Sequence, residues 1–139
     1  MKNTALLVID VQESFKHRDY WDESEFSAYA DKQNRLIKSV RQQGCPVVFI
    51  LHNEKEGPFS PESGYVRNMD FLDKQDSDPV FNKHVHNALL ESGLQEWLQE
   101  KGINRLLISG IRTEQCCETT ARVASDLGYQ VEFVLDATA

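Results

Sequence analysis

The chain has 139 residues, of which 40% are hydrophobic and 27% charged, with only 7 Gly and 4 Pro. That suits one folded domain with its own core and excludes disordered, collagen-like and low-complexity classes. Fifteen Lys+Arg against 22 Asp+Glu give a formal net charge of -7, which argues against nucleic acid and anionic membrane as partners. No stretch reaches the ~20 apolar residues of a membrane span and no signal-peptide pattern is visible, so a cytoplasmic protein is expected. The three cysteines, Cys45, Cys116 and Cys117, lack C-x-x-C spacing and fit a reducing compartment.

In chain order, Thr4 to Val11 is a nearly continuous apolar run, the pattern of a strand buried on both faces and typical of parallel sheets. A polar, aromatic loop around residues 15 to 21 follows. Ser24 to Gln43 carries apolar residues at helical spacing (Phe26, Tyr29, Ala30, Leu36, Ile37, Val40) and stops at Gly44. Pro46 to His52 is a second buried strand, which completes one strand-helix-strand unit. From Asn53 to about Asp78 the pattern dissolves, as in a long functional loop.

Pro79 to Phe81 reads as a short strand. After Lys83, residues Val85, Leu89, Leu90, Leu94, Trp97 and Leu98 predict a helix up to Gly102. Arg105 to Gly110 is a buried strand, Thr113 to Leu127 a helix, and Gln130 to Asp136 the last strand. The alternation predicts an α/β fold: a Rossmann-like three-layer α/β/α sandwich with a mainly parallel sheet, in one domain over residues 1–139. Residues 136–139 directly follow a strand that should need a covering helix, so the expectation is either a missing C-terminal helix and strand or a natural short form.

In such sheets the ligand crevice lies at the carboxyl ends of the strands. Asp10 interrupts the first buried run there, either as an acid capping backbone amides or as a paired functional carboxylate. Lys83 follows the third strand; a lone lysine faces solvent, but this one could project into the same crevice. Cys116 falls in the first turn of a helix, where the positive helix end can lower a thiol pKa and free amides can hold an oxyanion; otherwise it is an inert core cysteine, the reading given to Cys45 and Cys117.

These residues resemble the isochorismatase-like cysteine hydrolases, a superfamily that includes nicotinamidases and N-carbamoylsarcosine amidase. Leu6 to Gln12 resembles an apolar strand ending in D-x-Q. Lys83 with Asn87-Ala88-Leu89 is similar to K-x-x-x-S-A-F, with Asn and Leu substituted. Gly110 to Arg122, with Gly128-Tyr129 and Asp136-Ala137, resembles G-x-x-T-x-x-C-V-x-x-T-A-R followed by GY and DA. The resemblance implies that Cys116 is the nucleophile, Asp10 its base and Lys83 the cation that keeps Asp10 ionised. It also implies a non-proline cis peptide between Ile111 and Arg112, turning the Arg112 amide with that of Cys116 towards the substrate oxygen, and Gln12 and His52 beside the substrate.

The activity so implied is hydrolysis of a small amide, carbamoyl or ureide through a thioester, without cofactor, by a homo-oligomer of two or four copies. Nicotinamidases carry a D-x-H...H metal site; here His52-Asn53-Glu54 stands in that place without a matching second histidine, so no catalytic metal is expected. His84 and His86 read as exposed helix-start residues rather than a zinc pair. His52 either contacts substrate or hydrogen-bonds the backbone. Arg112 and Glu114 either read a polar substrate group or, for Glu114, complement the helix dipole. Trp21, Tyr65 and Phe71 either roof the pocket or simply pack. The competing readings are a catalytically silent α/β binding or scaffold domain, and a thiol redox protein using Cys116 and Cys117.

Overall fold

The computed structural model describes residues 3–19 and 21–139. Five strands, β1 (Thr4–Ile9), β2 (Val47–His52), β3 (Val80–Lys83), β4 (Arg105–Gly110) and β5 (Gln130–Thr138), form one sheet in the order β3-β2-β1-β4-β5, and all the pairings are parallel. The alternating side chains of β1 explain the unbroken apolar run. Ala5, Leu7 and Ile9 join one core with β2, β4 and helices α2 (Leu94–Glu100) and α3 (Glu118–Asp126); Leu6 and Val8 join the other, under helix α1 (Glu23–Gln42). Helices therefore cover both faces, as the alternation predicted.

Helix α1 starts one residue before the sequence expectation because Asp22 caps it, accepting from the Ser24 amide at 3.0 Å. Its buried stripe is Tyr29, Gln33, Ile37 and Val40. Gln33 was not foreseen: it is fully buried, accepts from the Tyr29 hydroxyl and donates to Ser109 Oγ, so its polarity is satisfied inside the core.

The helix expected from Val85 to Gly102 is only Leu94–Glu100. Residues 84–93 turn instead, for local reasons. Asn87 Oδ1 accepts from the Leu89 amide at 2.9 Å and so competes with helical pairing, Glu91 has a positive φ of 52°, and Gly93 is left-handed at φ 86°. Ala88 and Leu89 still reach the core, which is why their spacing mimicked a helix. The helix expected from Thr113 opens instead with a π turn over Thr113–Cys117 before α3. Strand β5 runs two residues further than expected, through a register irregularity opposite Ile108 and Gly110. On this edge strand Leu135 is exposed.

The strand order reverses direction between β1 and β4. The α1 crossover leads one way and α3 the other, which makes a crevice at the carboxyl ends of these two strands. The two backbones approach closely there: a Cβ on Gly110, which has φ 126°, would collide with the Ile9 backbone.

Candidate active site

Four strand exits converge on this crevice. Asp10 leaves β1 with φ 58°, its amide bonded to Ile50 O at 2.8 Å; His52 ends β2, Lys83 ends β3, and Cys116 lies in the π turn after β4. Lys83 is fully buried, and its ammonium has three partners: Asp10 Oδ2 at 3.1 Å, Cys116 Sγ at 3.2 Å and His52 Nδ1 at 3.0 Å. Three N–H donors meet three acceptors, so the buried cation is saturated. Because an ammonium only donates, His52 Nδ1 accepts here and the ring's hydrogen sits on Nε2, which faces Glu54 Oε2 at 3.5 Å.

Asp10 is 1% exposed, and its second oxygen, Oδ1, has no hydrogen-bond partner among the described residues. Burial pushes its pKa up from the ordinary value, while Lys83 and the neighbouring Cys116 thiol pull the other way. Burial, reinforced by the Asp10 charge, pushes the Cys116 thiol up to about 12 against the opposing pull of Lys83. This corrects the expectation of a helix end that lowers the thiol. Beside the raised thiol, the unpartnered Asp10 oxygen is left as a hydrogen-bond acceptor.

The Ile111–Arg112 peptide is cis, as the resemblance implied. The Arg112 carbonyl accepts from the Gln115 and Cys117 amides, which ties it to the start of the π turn, and Ile111 packs in the core. The Arg112 guanidinium is paired with Glu114 at 2.8 and 3.1 Å, and this bond holds the Glu114 carboxyl below its usual value. Gln12 is fully buried. It donates to His52 O at 3.0 Å and accepts from His52 N at 2.8 Å, so it extends the end of β2 and fixes the His52 backbone. His52 in turn is committed to Lys83.

Trp21 packs on Phe26, Tyr65 stacks on His17 at 3.7 Å, and Phe71 meets Phe26 edge-on. Cys45 and Cys117 are buried thiols in no disulfide, one in each core.

One contact was missed at the sequence level. His86 Nδ1 lies 3.3 Å from Cys116 Sγ, its ring parallel to that of His52 with centroids 6.3 Å apart. The only signal was its place three residues past a strand-ending lysine. Both imidazoles line a cavity of about 810 Å³ together with Glu54, His84 and Val85. A second cavity of about 270 Å³ touches Ile111 and Arg112 from the other side. Among the described residues, no cluster of three or more His, Cys, Asp or Glu side chains is placed to hold a metal ion.

Residues 4–139 match the profile of the Isochorismatase domain family. The chain belongs to the isochorismatase family of hydrolases. Curated relatives include the uncharacterized isochorismatase family protein YrdC of Bacillus subtilis, 25% identical over 97% of this chain and 73% of the relative. Nicotinamidase 3 of Arabidopsis thaliana is 31% identical over 99% of this chain and 74% of its own length. Among solved structures, an isochorismatase family protein superposes with a TM-score of 0.89 at 32% identity, covering 99% of this chain and 81% of that one. In this isochorismatase-family chain no described helix is long and apolar enough to cross a membrane.

Proposed function

We propose that the chain is a cysteine-dependent hydrolase of a small amide, carbamoyl or ureide compound, acting through a thioester on an Asp10-Lys83-Cys116 triad. The observation that carries this reading is the buried Lys83 ammonium, held 3.1 Å from a carboxylate and 3.2 Å from a thiol contributed by different strand exits. A buried charge at that cost needs a reason, and a paired acid beside a nucleophile supplies one. Relatives point the same way by name: alongside the nicotinamidase stands the ureidoacrylate amidohydrolase RutB of Stutzerimonas stutzeri, 27% identical over 97% of this chain and 69% of its own length.

In the cycle, the Cys116 thiol gives its proton to Asp10 as sulfur attacks the carbonyl carbon. The backbone amides of Arg112 and Cys116 hold the developing oxyanion. Collapse of the tetrahedral adduct breaks the C–N bond, and the leaving nitrogen takes up a proton. Water then loses a proton as it attacks the thioester, and the released sulfur recovers its own. Lys83 favours the charged forms of Asp10 and sulfur throughout the cycle.

The silent-domain reading drew on the substitutions at Asn87 and Leu89. Both have structural work, as a turn cap and a core side chain. The deciding experiment is an ammonia-release screen across nicotinamide, carbamoyl and ureide compounds. At least one compound is hydrolysed by the wild type and none by Cys116→Ser; no turnover by the wild type would hand the case to the silent domain. Assembly into two or four copies belongs to the same proposal, and light scattering of the purified chain tests it.

A further inference from the structure

We propose that His86 is a second catalytic acid and base, which carries the protons of the leaving nitrogen and of the incoming water while Asp10 carries the proton of sulfur. The inference rests on the hydrolase reading above.

The surroundings of Cys116 Sγ divide the labour. Its hydrogen-bond partners among the described residues are Lys83 Nζ at 3.2 Å and His86 Nδ1 at 3.3 Å, and the unpartnered Asp10 Oδ1 belongs to the adjacent carboxyl. A thiol has two lone pairs and one hydrogen. Lys83 and a protonated His86 donate to the lone pairs, and the hydrogen is left for the orphan Asp10 oxygen.

The difference in exposure then decides which group serves the substrate. Asp10 is 1% exposed beneath the sulfur, whereas His86 is exposed and lines the cavity of about 810 Å³. A nitrogen leaving from a group seated against that cavity departs on the side lined by His86, whereas the buried Asp10 and Cys116 do not line it.

The segment that presents His86 is held in place. Thr120 of α3, itself fully buried, donates to His86 O at 3.4 Å and accepts from the Ala88 amide at 3.0 Å. The titratable groups around the imidazole are Cys116 from the π turn, Lys83 and His84 from the end of β3, and His52, Glu54 and Lys55 from the end of β2 and the loop after it.

The protons balance. Asp10 takes the thiol hydrogen as the C–S bond forms. The His86 imidazolium gives Nδ1–H to the leaving nitrogen as the C–N bond breaks, and becomes neutral. The neutral ring then takes a proton from water as the C–O bond forms. Sulfur leaves and recovers its hydrogen from Asp10, so both groups return to their starting states.

The test compares two classes of acyl donor in wild type and His86→Asn, a substitution at an exposed position that preserves a hydrogen-bonding group without titrating. Amide hydrolysis, measured on whichever compound of the screen the wild type turns over, needs a proton on its leaving group. Acylation by p-nitrophenyl acetate, read as a burst of nitrophenolate, does not. His86→Asn lowers amide kcat/KM by ~10- to 100-fold, yet lowers the nitrophenolate burst rate far less, by under about threefold. Added imidazole restores amide turnover to His86→Ala. Equal losses on both donors, or no loss on either, overturn the inference while hydrolysis that disappears in Cys116→Ser keeps the hydrolase reading intact. A wild type that hydrolyses no amide removes that reading and this inference with it.

Discussion

Two ion pairs in this small fold are built to opposite ends. Asp78 meets Arg41 with two parallel bonds, Nη1 to Oδ1 at 2.8 Å and Nη2 to Oδ2 at 2.6 Å, near the surface between α1 and the loop before β3. Desolvation works against that carboxylate, but Arg41, the Gln75 amide and Lys74 together outweigh it and leave the Asp78 pKa below the ordinary value. Asp10 and Lys83, with side chains 1% and 0% exposed, bond through one carboxylate oxygen only, and burial wins, leaving Asp10 raised. A pair that serves stability satisfies all its acceptors. The pair at the crevice leaves one open and shares its cation with a thiol and an imidazole.

The largest expected contrast is in activity. Asp10→Asn, which keeps the short polar shape suited to the positive φ at this position, lowers amide turnover roughly a thousand-fold, whereas Asp78→Asn leaves it within a factor of about two; initial rates on a substrate from the screen test both. In stability, Lys83→Met costs about 3 to 5 kcal/mol because it strands a buried carboxylate, and Asp10→Asn in the same chain recovers most of that loss, as urea unfolding of the single and double variants will show. An additive double variant would mean that the two groups are not a pair.

The pairs also respond to pH with opposite signs. Because Asp10 is raised in the folded state, its contribution to stability is full below the unfolded carboxylate value and is lost as pH rises through its folded pKa. Because Asp78 is lowered, its contribution is present above the unfolded value and is lost as pH falls through its folded pKa. As pH rises through the acid range, the stability of wild type relative to Asp10→Asn therefore falls, and its stability relative to Asp78→Asn rises. Asp78→Asn itself costs about 1 kcal/mol at neutral pH, since the pair is partly screened by solvent.

The smallest effect concerns the thiol. The Asp10 charge is one cause of its high pKa, so Asp10→Asn shifts iodoacetamide labelling of Cys116 to lower pH, followed by peptide mass spectrometry. An unchanged profile would leave burial alone as the cause.

Sequence made the sheet legible for a physical reason, and the resemblance singled out Asp10, Lys83 and Cys116. Strands buried on both faces print unbroken apolar runs, and the Asp10 carboxylate after β1 stands out against its run, whereas the partly exposed β3 gives Lys83 no such contrast. The helix before β4 was misread because Ala88 and Leu89 bury themselves from a turn set by Asn87, and apolar spacing does not distinguish a turn from a helix. Gln33 stayed hidden because its partners, Tyr29 and Ser109, lie on a helix and on a strand far away in the chain. His86 followed a lysine and looked solvated, which it partly is. The direction of the Cys116 shift depends on burial, which a helix-start position alone does not reveal.

The saturated Lys83 ammonium has one more implication. Its three hydrogens point along three fixed tetrahedral directions, towards groups carried by three separate chain segments. A planar guanidinium cannot reproduce that tripod, so arginine at this position would keep the charge and lose the stereochemistry, uncoupling acid, sulfur and imidazole from their common hub.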